Sequence, residues 1–254
     1  MLKAVLFDLD NTLIRFSERR FFESYVSQVS RAFSDIMSID VFTHKLVLST
    51  QALMNNNGEM SNARYFMNVF CTGYEERRDE IWSCFMRFYE TEYDQFQALV
   101  SVPRGVRTVF LQLKKKDVKL VIASNPIWPL KVQIKRLSWA GLGDFQFDLV
   151  THIENMSYCK PRIQYYQEIC SKIGETAETC LMIGNDPIND MVVANIGMKT
   201  FLVTKGAETD ESALELSRSI LLDTPAEIPA PDFKGSLSHV PDTVLALLTN
   251  DEAS

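Results

Sequence analysis

A chain of 254 residues has room for one large domain, or for one domain carrying a smaller insertion. Hydrophobic residues at 46% and charged residues at 23% are ordinary for a globular protein with a packed core. A net charge of -7 argues against a nucleic-acid or anionic-membrane surface, although local metal or lysine charge can still attract an anionic substrate.

In chain order, the first predicted element is a strand at Ala4–Phe7, because four apolar residues in a row suit a parallel sheet covered on both faces. The run stops at Asp8, and Asp10 and Thr12 alternate on one side of the chain behind it. A carboxylate next to such a run is costly to bury unless it is paired or metal-bound. From about Phe16 to Asp94 the texture is helical. Phe21, Phe22, Tyr25, Val26, Val29, Ala32, Phe33, Ile36 and Met37 recur at helical spacing and predict one long amphipathic helix. Further helices are expected over about 40–54, 61–72 and 75–93, with a turn at 55–58 between the first two. No strand is predicted here, so the segment reads as a small helical bundle of its own.

From Pro103 onward strands and helices alternate. A helix over 104–116, a strand Val118–Ala123, a helix over 129–140 and a strand Phe147–Ile153 come first. A helix over 161–173, a strand Cys180–Ile183, a short helix from about Asn189 and a strand Thr200–Val203 follow. Strands separated by helices imply a parallel sheet with right-handed crossovers. The first strand must join that sheet, because alone it could not be buried. The fold class is therefore α/β, a Rossmann-like parallel sheet core with an inserted helical domain. The core is expected over 1–15 and 98–254 and the insertion over 16–97, with candidate hinges near Arg15–Ser17 and Gln95–Pro103. After Lys205, Pro225, Pro229 and Pro231 mark an irregular stretch before a closing helix at Val240–Leu248.

Ligands of an open parallel sheet bind beyond the carboxyl ends of its strands. The first strand ends in Asp8, Asp10 and Thr12, and the stretch VIAS ends in Ser124 with Asn125 behind it. Lys160 lies in the loop before helix 161–173, whose first turn Pro161 suits, and GNDPIND supplies Asn185, Asp186, Asn189 and Asp190. Singly, each has a plain reading as a turn or cap aspartate, an N-cap serine or a solvated lysine. Their coincidence on one edge of one sheet points to a site. Three or more carboxylates converging there repel one another unless a cation sits among them. Hard oxygen ligands favour magnesium, and a lysine with a hydroxyl nearby suits a phosphate.

The series FDLDNT, VIAS, a lysine before a helix, and GNDPIND resembles the haloacid dehalogenase superfamily of phosphohydrolases, in the right order. The resemblance implies covalent catalysis through an aspartyl-phosphate, with Asp8 as nucleophile and Asp10 as general acid, then base. Thr12 would hold the loop, Ser124 with Asn125 would bind the phosphoryl group, and Lys160 would neutralise charge on both. Magnesium would be held by Asp8, the Asp10 backbone carbonyl and Asp186, with Asp190 completing the site. The family's fourth motif usually begins glycine-aspartate, whereas Asn185 follows Gly184 here. Either Asp186 or Asn185 then takes the ligand position, and the spacing to Asp190 favours Asp186. The insertion resembles the all-helical cap of the family's first cap class, which closes over the site and selects the substrate. The implied activity is hydrolysis of a small phosphomonoester. A phosphomutase, which shares the whole core, is the alternative. A non-catalytic phospho-ligand module would be expected to have lost one of these groups, and the dehalogenase branch lacks the equivalent of Asp10.

The remaining signals are plainer. Cys71, Cys84, Cys159, Cys170 and Cys180 are odd in number and lack CxxC spacing, which suggests reduced thiols in a cytoplasmic protein. The N-terminal apolar run is too short for a signal peptide, and nothing reaches the roughly 18 apolar residues of a membrane span. His44, His152 and His239 show no metal spacing, and Lys114–Lys116 ends a helix, where cations favour the dipole. Trp82, Phe85, Met86, Phe88 and Tyr89 crowd one helix of the insertion as bundle core, with one or two lining a substrate pocket as the alternative. Arg15 either contacts substrate or lies on the hinge.

Overall fold

At the centre of the molecule Ala4–Phe7 forms β1, and none of its residues touches solvent. The computed structural model describes residues 1–204 and 228–249. Along the chain follow β2 (Lys119–Ile122), β3 (Leu149–Val150), β4 (Cys180–Gly184), β5 (Lys199–Val203) and β6 (Phe233–Gly235). All pair parallel in the order β3-β2-β1-β4-β5-β6. Strand order reverses beside β1, the place where such sheets bind ligands. Phe7 is level with Ile122 on one side and Ile183 on the other, so the residues after all three strands emerge at one edge.

Side chains of β1 alternate between two apolar layers, as the pleat requires. Val5 and Phe7 join Ile122 and Ile183 beneath α5 (Val106–Leu113) and α8 (Val240–Thr249). Ala4 and Leu6 join Val121 and Met182 beneath α7 (Ile163–Ile173). A sheet covered on both faces explains why its central strands are apolar without interruption.

Between β1 and α5 the chain is helical: α1 (Glu18–Ala32), α2 (Ile39–Met54), α3 (Asn62–Phe70), α4 (Arg78–Thr91) and a 3₁₀ stretch at Tyr93–Leu99. Ser17, Ser38 and Ser61 cap the first three, each hydroxyl accepting a backbone N–H of the first turn. The insertion has its own aromatic core, where the Phe33 ring centre lies 4.8 Å from Phe42 and 4.6 Å from Phe85. That core continues into the α/β part through Val132 and Trp139 of α6 (Leu130–Trp139). Backbone N–H groups of Asn62 and Ala63 donate to the Met156 and Ile153 carbonyls, both at 2.8 Å. The chain leaves the sheet at Arg15 and returns at Ser101, and these two residues exchange both backbone hydrogen bonds at 2.8 Å. Arg15 therefore lies at the junction between the sheet and the helical insertion.

Several elements depart from their expected bounds. The helix expected on the Phe21–Met37 repeat stops at Ala32, where the Phe33 N–H turns back to the Ser30 carbonyl. The strand expected over Phe147–Ile153 shrinks to two residues because side chains take over its ends. Asp148 Oδ2 accepts the Leu120 N–H, and Asn155 Nδ2 donates to the Val150 carbonyl. Pro161 lies outside α7, because extended backbone at Arg162 delays the helix to Ile163 while Lys160 turns inward. The helix expected from Asn189 is a 3₁₀ stretch at Met191–Ile196, and β6 is a strand the sequence did not suggest. Pro225 lies outside the described residues. All five cysteines are unbridged and buried. Among the described residues no helix is long and apolar enough to cross a membrane.

Candidate active site

Asp8 follows β1 directly, its N–H held by the Ile183 carbonyl at 2.8 Å, which aims its side chain off the sheet edge. Asn11 takes up a left-handed φ of 60°, a conformation that asparagine tolerates through local hydrogen bonds. Its Oδ1 accepts the Phe16 N–H and its Nδ2 donates to Glu18 Oε1, both at 3.2 Å, tying the loop to the start of α1.

Lys160 is buried and donates to Asp8 Oδ1 at 2.8 Å and Asp190 Oδ1 at 2.6 Å. Burial works against the ammonium charge, but Asp190 and Asp8 overcome it and hold the Lys160 pKa well above its ordinary value. Burial raises the Asp8 carboxyl, and Lys160 only partly offsets it. Burial likewise pushes Asp190 up to about 7, again against the pull of Lys160. Thr12 Oγ1 stands 2.9 Å from both Asp8 Oδ2 and Asn185 Oδ1, and its single proton serves one of them at a time. One lysine thus faces two buried carboxylates, which leaves an excess of negative charge.

Of the expected site residues, Asp8, Asp10, Asn125, Lys160, Asn185, Asp186 and Asp190 border one cavity of about 460 Å³ between the sheet edge and the helical insertion. Thr12 and Ser124 stand behind that wall. The Ser124 carbonyl accepts from Thr151 Oγ1 at 2.6 Å and Tyr165 OH at 2.8 Å, while its buried hydroxyl has no partner. A buried unpaired hydroxyl calls for an explanation. Asn125 Oδ1 accepts the Lys160 N–H at 3.3 Å, so the second and third of the motifs are joined directly.

Around β4 the fourth motif folds back on itself. Asp186 Oδ1 accepts the N–H groups of Ile188 and Asn189 at 2.8 and 3.1 Å, and its Oδ2 accepts Asn189 Nδ2 at 2.6 Å. About one of the four lone-pair sites of that carboxylate is left free. Asn185, by contrast, turns its amide oxygen toward Thr12 Oγ1. The available donors are therefore carboxylate, amide and main-chain carbonyl oxygens, the chemistry that a hard divalent cation takes. Among the described residues they do not form a ready-made cluster of three acidic, His or Cys ligands.

A family model described as haloacid dehalogenase-like hydrolase matches residues 2–195. The chain belongs to that family. Among curated proteins it is similar to the putative pyrophosphatase PpaX of Clostridium perfringens, 24% identical over 230 residues, covering 90% of this chain and 96% of the relative. It is also similar to the glyceraldehyde 3-phosphate phosphatase of Methanothermobacter thermautotrophicus, 27% identical over 207 residues, covering 80% and 86% respectively. Its fold is shared with a HAD phosphatase from Thermococcus onnurineus at a TM-score of 0.54 and 18% identity, over 96% of this chain and 98% of that one. The chain is thus a hydrolase of the haloacid dehalogenase-like family.

Two residues of this hydrolase's site escaped sequence reasoning. Arg136, only 1% exposed, grips Asp10 with both terminal nitrogens, at 3.0 Å to Oδ2 and 2.8 Å to Oδ1. Its guanidinium also lies 5.4–5.7 Å from the ring centres of Phe16, Phe21 and Trp128. The available signal was its position, since Arg136 falls on the same helical stripe as buried Val132 and Trp139. Glu18 reads from sequence as an ordinary acid in a helix's first turn. In the fold, burial and then Asp10, Asp186 and Asp8 push its carboxyl up to about 7.

Gly184 makes the crowding at this edge possible. A Cβ there would sit 2.0 Å from Asp190 Oδ2, so Gly184→Ala must displace the carboxylate that Lys160 bonds. Steady-state kinetics on this variant should show kcat lowered on the order of 100-fold, the cost of misplacing a catalytic group by about 1 Å. An unchanged kcat would show that Asp190 can retreat without losing Lys160.

Proposed function

We propose that the protein is a magnesium-dependent phosphatase that hydrolyses a small-molecule phosphomonoester through an aspartyl-phosphate on Asp8. The observation that carries this reading is the Asp8 carboxylate itself. It stands at the cavity wall between Lys160 Nζ and Thr12 Oγ1, with Asp10 two residues further on. One Asp8 oxygen bonds to phosphorus as the bond to the leaving alcohol breaks, and Asp10 hands that alcohol its proton. Asp10 then takes a proton from the water that cleaves the acyl phosphate. Arg136 directs the Asp10 carboxylate, Lys160 draws charge from nucleophile and phosphoryl group, and Asp190 positions Lys160. The Asn125 side chain is the remaining donor at the cavity wall for phosphoryl oxygens, with the unpaired Ser124 hydroxyl buried just behind it.

Asp8, the Asp10 carbonyl and Asp186 would hold the magnesium, with the Asn185 amide oxygen beside them. Bound there, the ion supplies positive charge to the phosphoryl oxygens and to the surplus of carboxylates. Residues 16–97 act as the cap in this reading, and 1–15 with 98–254 as the catalytic core. Phosphate release from an ester should stop on exhaustive chelation and return with added magnesium. Activity that survives chelation would sink the metal assignment. Replacing Asp186 by Ala should cost more than replacing Asn185, and the reverse order would move the ligand to Asn185.

A further inference from the structure

We infer that the alcohol released from the phosphate ester is large, uncharged and mainly apolar, with at least one ring; this rests on the phosphatase reading above. The cavity above Asp8 measures about 460 Å³, within the roughly 300–1,000 Å³ of sites that engulf a drug-sized ligand. Its upper wall is built from Phe21, Leu46, Phe66, Trp82, Phe85 and Trp128. Tyr25 and Tyr89 also face it; their hydroxyls bond to each other at 2.6 Å, so the pair keeps one O–H free and otherwise presents ring surface. Such a wall gains most from an apolar, flat-sided group.

Charge supports the same conclusion. Among the described residues that line the cavity, only Lys160 and Arg136 are cationic, and both are committed: Lys160 to Asp8 and Asp190, Arg136 to Asp10. A second anionic group on the substrate would lose its water and meet no counter-charge. It would also approach Glu18, Asp10 and Asp186, which already repel one another. A second phosphoryl group or a carboxylate is therefore excluded by the wall, and a three-carbon alcohol would leave most of the space unfilled.

The test compares esters with the same leaving-group chemistry, ethyl phosphate and 2-(2-naphthyl)ethyl phosphate, beside phosphoglycolate and pyrophosphate, all with magnesium. The naphthylethyl ester should exceed ethyl phosphate in kcat/KM by about 100-fold, mostly through KM, since apolar contacts discriminate by about 10–200-fold for even a small group. Phosphoglycolate and pyrophosphate, which carry a second anionic group, should fall below ethyl phosphate. Half-buried Trp82 provides a first variant: Trp82→Ala should shrink the naphthylethyl-to-ethyl ratio about 10-fold. Thr50→Lys, which adds a cation to the same wall, should raise turnover of phosphoglycolate. A flat or inverted order among substrates, an unchanged ratio in Trp82→Ala, or no gain in Thr50→Lys overturns the inference while the phosphatase reading stands. Release of phosphate from none of the four compounds removes both.

Discussion

Asp8→Asn protein mixed with an activated aryl phosphate and quenched in acid should carry no phosphate, whereas Asp10→Asn protein should accumulate it. The two carboxylates are close in sequence, and either could be imagined attacking phosphorus. Their surroundings separate them. Asp8 is gripped by Lys160 and Thr12, which lower the charge repulsion that an attacking oxygen meets at a phosphoryl group. Asp10 is held by Arg136 on the side toward α1, where a leaving alcohol would stand. Loss of the nucleophile removes the covalent route altogether. Loss of the acid–base group penalises proton transfer by about 10²–10⁴ in rate, most heavily for esters with poor leaving groups. An aryl phosphate needs little protonation, so the first step proceeds in Asp10→Asn while water, no longer activated, fails to clear the acyl phosphate. Intact-mass and peptide spectra of the two variants decide the matter. Phosphate on residue 10, or on Asp8→Asn protein, would falsify the assignment.

Lys160→Met should be the most damaging single change for activity and fold together. The variant loses about 10²–10³ in kcat with the donor aimed at developing charge. It also leaves Asp8 and Asp190 buried without their cation, the kind of break that costs about 3–5 kcal/mol. The pH dependence has a definite sign. Without Lys160, the folded-state pKa values of both carboxyls move further above the unfolded carboxylate value of about 3.9. A group raised in this way imposes no penalty below its unfolded value, and an increasing one as pH rises toward its folded value. Burial already places Asp190 at about 7 in the native protein. The stability deficit of Lys160→Met should therefore be large at pH 8 and smaller at pH 5. Denaturant melts in chelator at both pH values measure it; a deficit independent of pH would mean that these carboxyls are not its source.

Much of the sheet was legible because uninterrupted apolar runs such as Ala4–Phe7 and Cys180–Ile183 have few alternatives to a doubly covered parallel strand. The cluster of polar groups at strand ends was legible for a related reason: Asp8 and Lys160 are costly to bury anywhere but opposite one another. What stayed hidden depends on contacts between distant segments. The three residues of β6 carry no periodicity of their own and become a strand only by pairing with β5. Arg136 looks like a surface residue until the Asp10 carboxylate and three aromatic rings surround it. Pro161 suited a helix start by local preference, but the demand that Lys160 reach Asp8 keeps the backbone extended through Arg162. The aromatic crowding on α4 has the spacing of bundle core, and Trp82, Phe85 and Tyr89 border the cavity as well, because one helix can serve both.

The hydrogen-bonded pairing of Arg15 with Ser101 bears on how such an enzyme diversifies. Partners that exchange both backbone bonds keep their Cα atoms about 5.5 Å apart, a gap that a tight turn spans. What lies between them enters and leaves the sheet through that one gap, and an exchanged insert would have to replace the contacts that Glu18, Asn62 and Ala63 make with the loops carrying Asp8 and Lys160. In the proposed reading the phosphate chemistry stays with the sheet, while the choice of alcohol is shared between the insertion and core residues such as Trp128. Grafting a different insert between residues 15 and 101 is the shortest route to a new specificity on this sheet.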